Sequence, residues 1–84
     1  MSKMKVLING VEKVCEILYT FKSENTKKSY LICTDNTFTN GELNVYSFIY
    51  YPNEKEKGII KIEEKEDLDA IETFISLLEV NCNE

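Results

Sequence analysis

The sequence predicts an α+β fold, an antiparallel meander sheet of about five strands with one C-terminal helix packed on one face. Three observations carry this. Cys15, Ile17, Tyr19 and Phe21 alternate with Glu16, Thr20 and Lys22, the period of a half-buried strand with its four apolar residues on one face. Asn9-Gly10 separates two apolar runs, which is the composition of a two-residue hairpin turn. From Glu64 onward the period becomes helical, with Leu68, Ala70, Ile71, Phe74, Ile75, Leu77 and Leu78 covering about half of the circumference. A chain of 84 residues has room for one domain, expected to span 1–84, so the helix has only a sheet face to lie on.

The first strand, about 4–8, is rich in branched residues, and the turn after it fixes its register. Ile8 falls opposite Val11, Val6 opposite Lys13 and Lys5 opposite Val14. Lys3 and Lys5 make it an edge strand defended against further pairing. The second strand, about 11–22, is long enough to bend or bulge near Val14. Ser23 to Lys28 returns the chain to a third strand, about 29–34, where Tyr30 and Ile32 alternate with Leu31 and Cys33. Both of its faces are apolar, so it is central. Thr34 to Glu42 reads as a turn-rich loop with one exposed aromatic, Phe38, closed by Asn40-Gly41.

The fourth strand, about 43–51, puts Asn44, Tyr46, Phe48 and Tyr50 on one face and Leu43, Val45, Ser47, Ile49 and Tyr51 on the other. Pro52 ends it, because proline donates nothing to a ladder. Asn53 to Lys57 is a solvated loop, and Gly58 leads into a fifth strand, about 59–62. The helix, about 64–80, opens with Glu63, Glu64, Glu66 and Asp67 crowded at its start. The helix dipole favours each of them there by ~0.3–1 kcal/mol when exposed.

Composition excludes several function classes. A hydrophobic fraction of 43% argues for a folded chain despite 30% charged residues. The net charge is -5, the lysines are scattered and arginine is absent, so no basic stripe is there to neutralise phosphates. Direct nucleic-acid binding and membrane binding are therefore not expected, and no apolar run approaches the ~20 residues of a membrane span. Cys15, Cys33 and Cys82 are odd in number and form no CxxC, and no charged segment leads into an apolar signal region. The expectation is a cytoplasmic protein with free thiols, Cys15 and Cys33 acting as small hydrophobes and Cys82 exposed.

Tyr19-Thr20-Phe21, Lys28-Ser29-Tyr30, Asn44-Val45-Tyr46 and Tyr50-Tyr51-Pro52, followed by an isoleucine strand and an acidic helix, give the chain a family likeness. Over roughly Val14 to Leu78 it resembles the YrzB-like small bacterial proteins of unknown function. The resemblance implies a bacterial cytoplasmic protein of similar fold and carries over no reaction and no catalytic residue. Glu64 and Leu68 stand where that family typically has threonine and tryptophan, and Lys27 stands at a loop position that is often glycine.

Without histidine, Ser-His and Cys-His pairs are impossible and the commonest metal ligand is missing. Asp35 and Glu42 flank the turn-rich loop and could face one another as paired carboxylates; two solvated loop acids are the plainer reading. Asp35 to Gly41 fails as a calcium loop, because the glycine comes one place late and Tyr46 occupies the position of the closing acid. Three cysteines in this spacing fit no zinc pattern, and Gly10, Gly41 and Gly58 are isolated turn glycines rather than a phosphate cradle. No metal and no cofactor is expected.

The tyrosine-rich strands exceed what one helix can cover. Some of these aromatics form cross-strand pairs at ~0.2–1 kcal/mol each; Tyr46, Phe48 and Tyr50 are the candidates for a partner-binding face. The functional expectation is a non-enzymatic interaction or adaptor module that meets a protein partner through an uncovered sheet face or an exposed strand edge. Homo-oligomerisation through the same edge or face stays open. So do two alternatives. One is an acidic nucleic-acid mimic, using Glu63, Glu64, Glu66, Asp67 and Glu72 to occupy a basic groove on another protein. The other is a small-ligand binder or carboxylate-dependent enzyme using Asp35, Glu42 and a tyrosine.

Overall fold

Both Asn-Gly pairs make hairpin turns, since Asn9 and Gly10 take φ of 52° and 80°, and Asn40 and Gly41 take the same values. Positive φ at both central residues is the type I′ geometry, whose twist matches that of the strands on either side. A computed structural model describes residues 2–53 and 59–82, with side chains described as far as Leu78. The 54–57 part of the expected loop, Gly58 and the expected exposure of Cys82 lie outside the described residues. Five strands, β1 (Lys3–Ile8), β2 (Val11–Lys22), β3 (Ser29–Thr39), β4 (Glu42–Tyr50) and β5 (Ile59–Lys61), precede one helix, α1 (Lys65–Cys82). The strands form one antiparallel sheet in the order β1-β2-β3-β4-β5. The register expected from the first turn holds throughout, with Ile8 opposite Val11, Val6 opposite Lys13 and Lys5 opposite Val14.

Three expectations need correction. The β2 irregularity falls between Ile17 and Tyr19, not near Val14, and it reverses the strand's facing. Ile17 pairs with Cys33, whereas Tyr19 and Phe21 pair with Ile32 and Tyr30, so Cys15 and Ile17 point to one side and Tyr19 and Phe21 to the other. The stretch read as a loop from Thr34 is the second half of β3, interrupted by a bulge between Thr34 and Phe38. Side chains replace the ladder there: Asn36 N–H donates to the Thr34 hydroxyl at 3.1 Å, and Thr37 N–H donates to Asp35 at 3.0 Å. Asn36 takes a φ of 64°, a conformation that its short amide tolerates. Third, Leu68 and Leu77 of the expected apolar helix face are 50% and 59% exposed.

Each face of the sheet has its own core. Val6, Cys15, Leu31, Cys33 and Phe48 pack together, with Ile8, Ile17, Tyr46, Tyr50 and Ile59 against them. All five strands contribute to this cluster and no helix does, so the sheet curls until β1 faces β4 and β5. On the other face Tyr30 and Ile49 meet Ile71, with Phe21, Ile62, Ala70 and Ile75 around them. Phe74 lies parallel to the Phe21 ring at a centroid distance of 4.0 Å and meets Tyr19 edge-on at 5.7 Å. The bulge makes this possible, because without it the two β2 aromatics would point away from the helix.

The helix is held at its start by a polar cluster inside that second core. Asp67 is fully buried, accepts a hydrogen bond from the Tyr30 hydroxyl at 2.6 Å and lies 3.2 Å from the Lys28 ammonium. The Thr26 hydroxyl completes the chain 2.7 Å from the Tyr30 oxygen. Burial, followed by the neighbouring Asp67 carboxylate, pushes the Tyr30 phenol above its ordinary ionisation range.

Candidate interaction groove

The two lateral edges of the curled sheet frame a large concavity. β1 pairs only with β2, so its outer edge is unpaired within the sheet. β4 is nine residues long while β5 is three, and β5 pairs only with Phe48, Ile49 and Tyr50. Beyond Lys61 the chain leaves the sheet through Ile62 for the helix, so β4 from Glu42 to Ser47 has no outer strand among the described residues.

Between these edges lies a groove of about 630 Å³, bounded by consecutive residues on both sides, Leu7 to Gly10 and Val45 to Phe48. Lys61 and Ile62 close one end, and Leu68, Ile71 and Glu72 of the helix form its flank. Leu7, Val45 and Leu68 reach it with 70%, 47% and 50% of their surface exposed. Exposed aliphatic side chains that converge on one concavity are what a partner buries. A second, smaller concavity runs on between β1 and β5 and shares Leu7, Phe48 and Lys61 with the first.

The residues singled out from the sequence distribute differently. Phe48 is buried in the sheet's own core, and Tyr46 and Tyr50 are half-buried against it. The face away from the helix is therefore not an open aromatic patch, because curling covers it with β1; Tyr46 and Phe48 instead form part of the groove wall. Of the acidic set, Glu63, Glu64, Glu66 and Glu72 are exposed, whereas Asp67 is withdrawn inside the Tyr30 cluster. Lys28 further ties up Glu66 at 3.3 Å.

Asp35 does not meet Glu42. Its carboxylate accepts a hydrogen bond from the Thr37 hydroxyl, pairs with Lys13 at 3.0 Å and accepts a second hydrogen bond from the Tyr46 hydroxyl at 3.3 Å. These partners, Thr37 first and Lys13 next, hold it well below the usual carboxylate range, the opposite of what a general acid at neutral pH requires. Glu42 sits exposed beside the Asn40-Gly41 turn, opposite Thr39. Burial pushes the Cys33 thiol up to about 12, with Cys15 adding to the effect, so Cys33 is a structural thiol rather than a nucleophile.

Leu7, Val45, Lys61 and Leu68 were not among the sequence-derived candidates. One signal was present: the apolar run of β4 is about twice as long as the isoleucine run of β5, which leaves half of β4 without an outer neighbour. Leu68 falls within the helical apolar pattern, and only the position of the helix axis shows that it overhangs the sheet edge. No helix among the described residues is long and apolar enough to cross a membrane.

The relatives found by comparison with known proteins include two UPF0473 proteins. A UPF0473 protein of Bacillus pumilus (strain SAFR-032) is 37% identical over 71 residues, covering 81% of this chain and 75% of that protein. A UPF0473 protein of Geobacillus sp. (strain WCH70) is 38% identical over 71 residues, covering 76% of this chain and 73% of that protein. No family model and no solved structure matches the chain.

Proposed function

The chain belongs to the UPF0473 family, an uncharacterised bacterial family, and we propose that it acts there as a non-enzymatic interaction module docking a protein partner in the groove between β1 and β4. The resemblance to the YrzB-like proteins over roughly Val14 to Leu78 agrees with this at the level of a small uncharacterised bacterial family. The observation that carries the proposal is the convergence of three exposed aliphatic side chains, Leu7, Val45 and Leu68, on one concavity walled by two unpaired strand edges. Its charged lining is Lys61 and Glu72, so the groove offers buried area and a few polar anchors rather than a paired acid and base. A cytoplasmic setting fits the free thiols Cys15 and Cys33.

The test places a photo-crosslinking amino acid at Leu68 or Val45, and at Asn25 or Lys27 as controls, in the protein expressed in its own bacterium. The expected result is one crosslinked protein species from the groove positions that the control positions do not give, lost again when Leu7 is changed to Asp. Equal yields from groove and control positions, or none from the groove, would refute the proposal.

A further inference from the structure

We propose that the groove takes its partner as an added β-strand, an extended apolar segment carrying a carboxylate opposite Lys61; this rests on the docking role just proposed. The backbone supplies the first argument. Thr39 and Glu42 flank the two-residue turn and so form the hydrogen-bonded pair that starts the β3-β4 ladder. Alternation from there turns the N–H and C=O groups of Leu43, Val45 and Ser47 away from β3. The Asn44 carbonyl, which accepts the Thr34 hydroxyl, points toward β3 as this requires. Ile49, next in the outward series, is the residue that faces Ile60 of β5. Leu43, Val45 and Ser47 thus continue the edge on which β5 is built, with no strand alongside them among the described residues.

The direction also fits. A strand antiparallel to β4 and collinear with β5 runs parallel to β1, whose Leu7 to Gly10 form the opposite wall, so one segment can meet both edges. Its alternate side chains would enter the aliphatic flank of Leu68 and Ile71 on one side and the Tyr46 and Phe48 wall on the other. Charge selects the remaining feature. Lys61 lies at the junction of the two concavities, and Lys5 lines the second. Lys13 and Lys28 are neutralised by Asp35 and Asp67, whereas no carboxylate among the described residues pairs with Lys61 or Lys5. In a chain of net charge -5, these two unpaired lysines against the single lining carboxylate, Glu72 on the helix flank, make the junction locally basic, and it favours an acidic strand over a second copy's Lys-rich β1.

The experiment titrates the isotopically labelled full chain with an end-blocked peptide of alternating valine and glutamate, about seven residues long, and with its valine-lysine counterpart. The readouts are amide hydrogen exchange and binding affinity. Exchange at Leu43, Val45 and Ser47 should slow by roughly tenfold or more at saturation, and the lysine peptide should bind roughly tenfold more weakly. Lys61→Glu should invert that order, and Glu72→Lys should tighten the glutamate peptide. Equal affinity for both peptides, or binding without protection of these three amides, overturns the proposal. Protection that rises with protein concentration in the absence of peptide overturns it too, assigning the groove to a second copy. Groove-specific crosslinks in the cell combined with failure here would leave the docking role standing and remove only the acidic strand; absent crosslinks would remove the docking role itself.

Discussion

Replacing Tyr30 by phenylalanine removes one oxygen from the buried polar cluster around Asp67 and tests how the helix is anchored. That oxygen donates to Asp67 at 2.6 Å and lies 2.7 Å from the Thr26 hydroxyl, while the Asp67 side chain is 1% exposed. A hydrogen bond to a charged group contributes ~1.5–3 kcal/mol, and the buried carboxylate would lose one of its donors. Lys28 remains 3.2 and 3.4 Å from the two carboxylate oxygens, which holds the expected loss to about 2 kcal/mol. For a domain of this size that is a fall in Tm of about 8–16 °C. Urea denaturation followed by circular dichroism should show a lower midpoint with an unchanged slope.

The same cluster predicts an alkaline limb. Tyr30 is raised from its ordinary value of 10.0, chiefly by burial, so its contribution is present in full below pH 10.0 and is lost as pH rises through the folded value. Lys28, raised by Asp67 and Glu66, acts in the same direction, so Tyr30→Phe should shallow the alkaline limb without abolishing it. A Tyr30→Phe protein within about 0.5 kcal/mol of wild type, with an unaltered alkaline limb, would refute the anchoring role.

Ile71→Asp should leave no folded protein by far-UV circular dichroism, because it puts an unpaired charge between the helix and Tyr30, whereas Glu72→Lys one residue on should change stability by no more than about 0.5 kcal/mol. Lys27 has a φ of 63° and an exposed side chain, so Lys27→Gly should stabilise by about 0.5–1 kcal/mol in urea denaturation; destabilisation would show that the loop does not hold this conformation. Asp35 is lowered from 3.8, so its contribution is present above that pH and is lost as pH falls through the folded value. Asp35→Asn should flatten the acid limb of stability between pH 5 and the acid transition, and parallel limbs in the two proteins would contradict this.

The elements whose geometry is local were legible in the sequence. Asn9-Gly10 specified both the turn and the β1-β2 register, because few residues accept positive φ at both central positions. The apolar faces of β3 on both sides marked it as central, and the change of period marked the helix. The β3 bulge has the composition of a turn, which hides it as a strand; Asp35 and Thr34 supply from their side chains the bonds a ladder would have supplied. Asp67 has the sequence position of a solvated first-turn acid, although its spacing of four from Ile71 and seven from Phe74 places it on the buried stripe.

The sequence by itself determined the order and kind of the elements, their antiparallel pairing and the absence of histidine chemistry, since these depend on residues near one another in the chain. Only the tertiary structure decided that the sheet curls, that the bulge after Ile17 sends Tyr19 and Phe21 beneath the helix, and that Phe48 is enclosed while Leu68 is left at a groove. The physical reason is that alternation says which residues share a face but not how far that face bends. Curvature is set by where one extra residue enters a ladder and by which distant strands then have apolar surface left to bury.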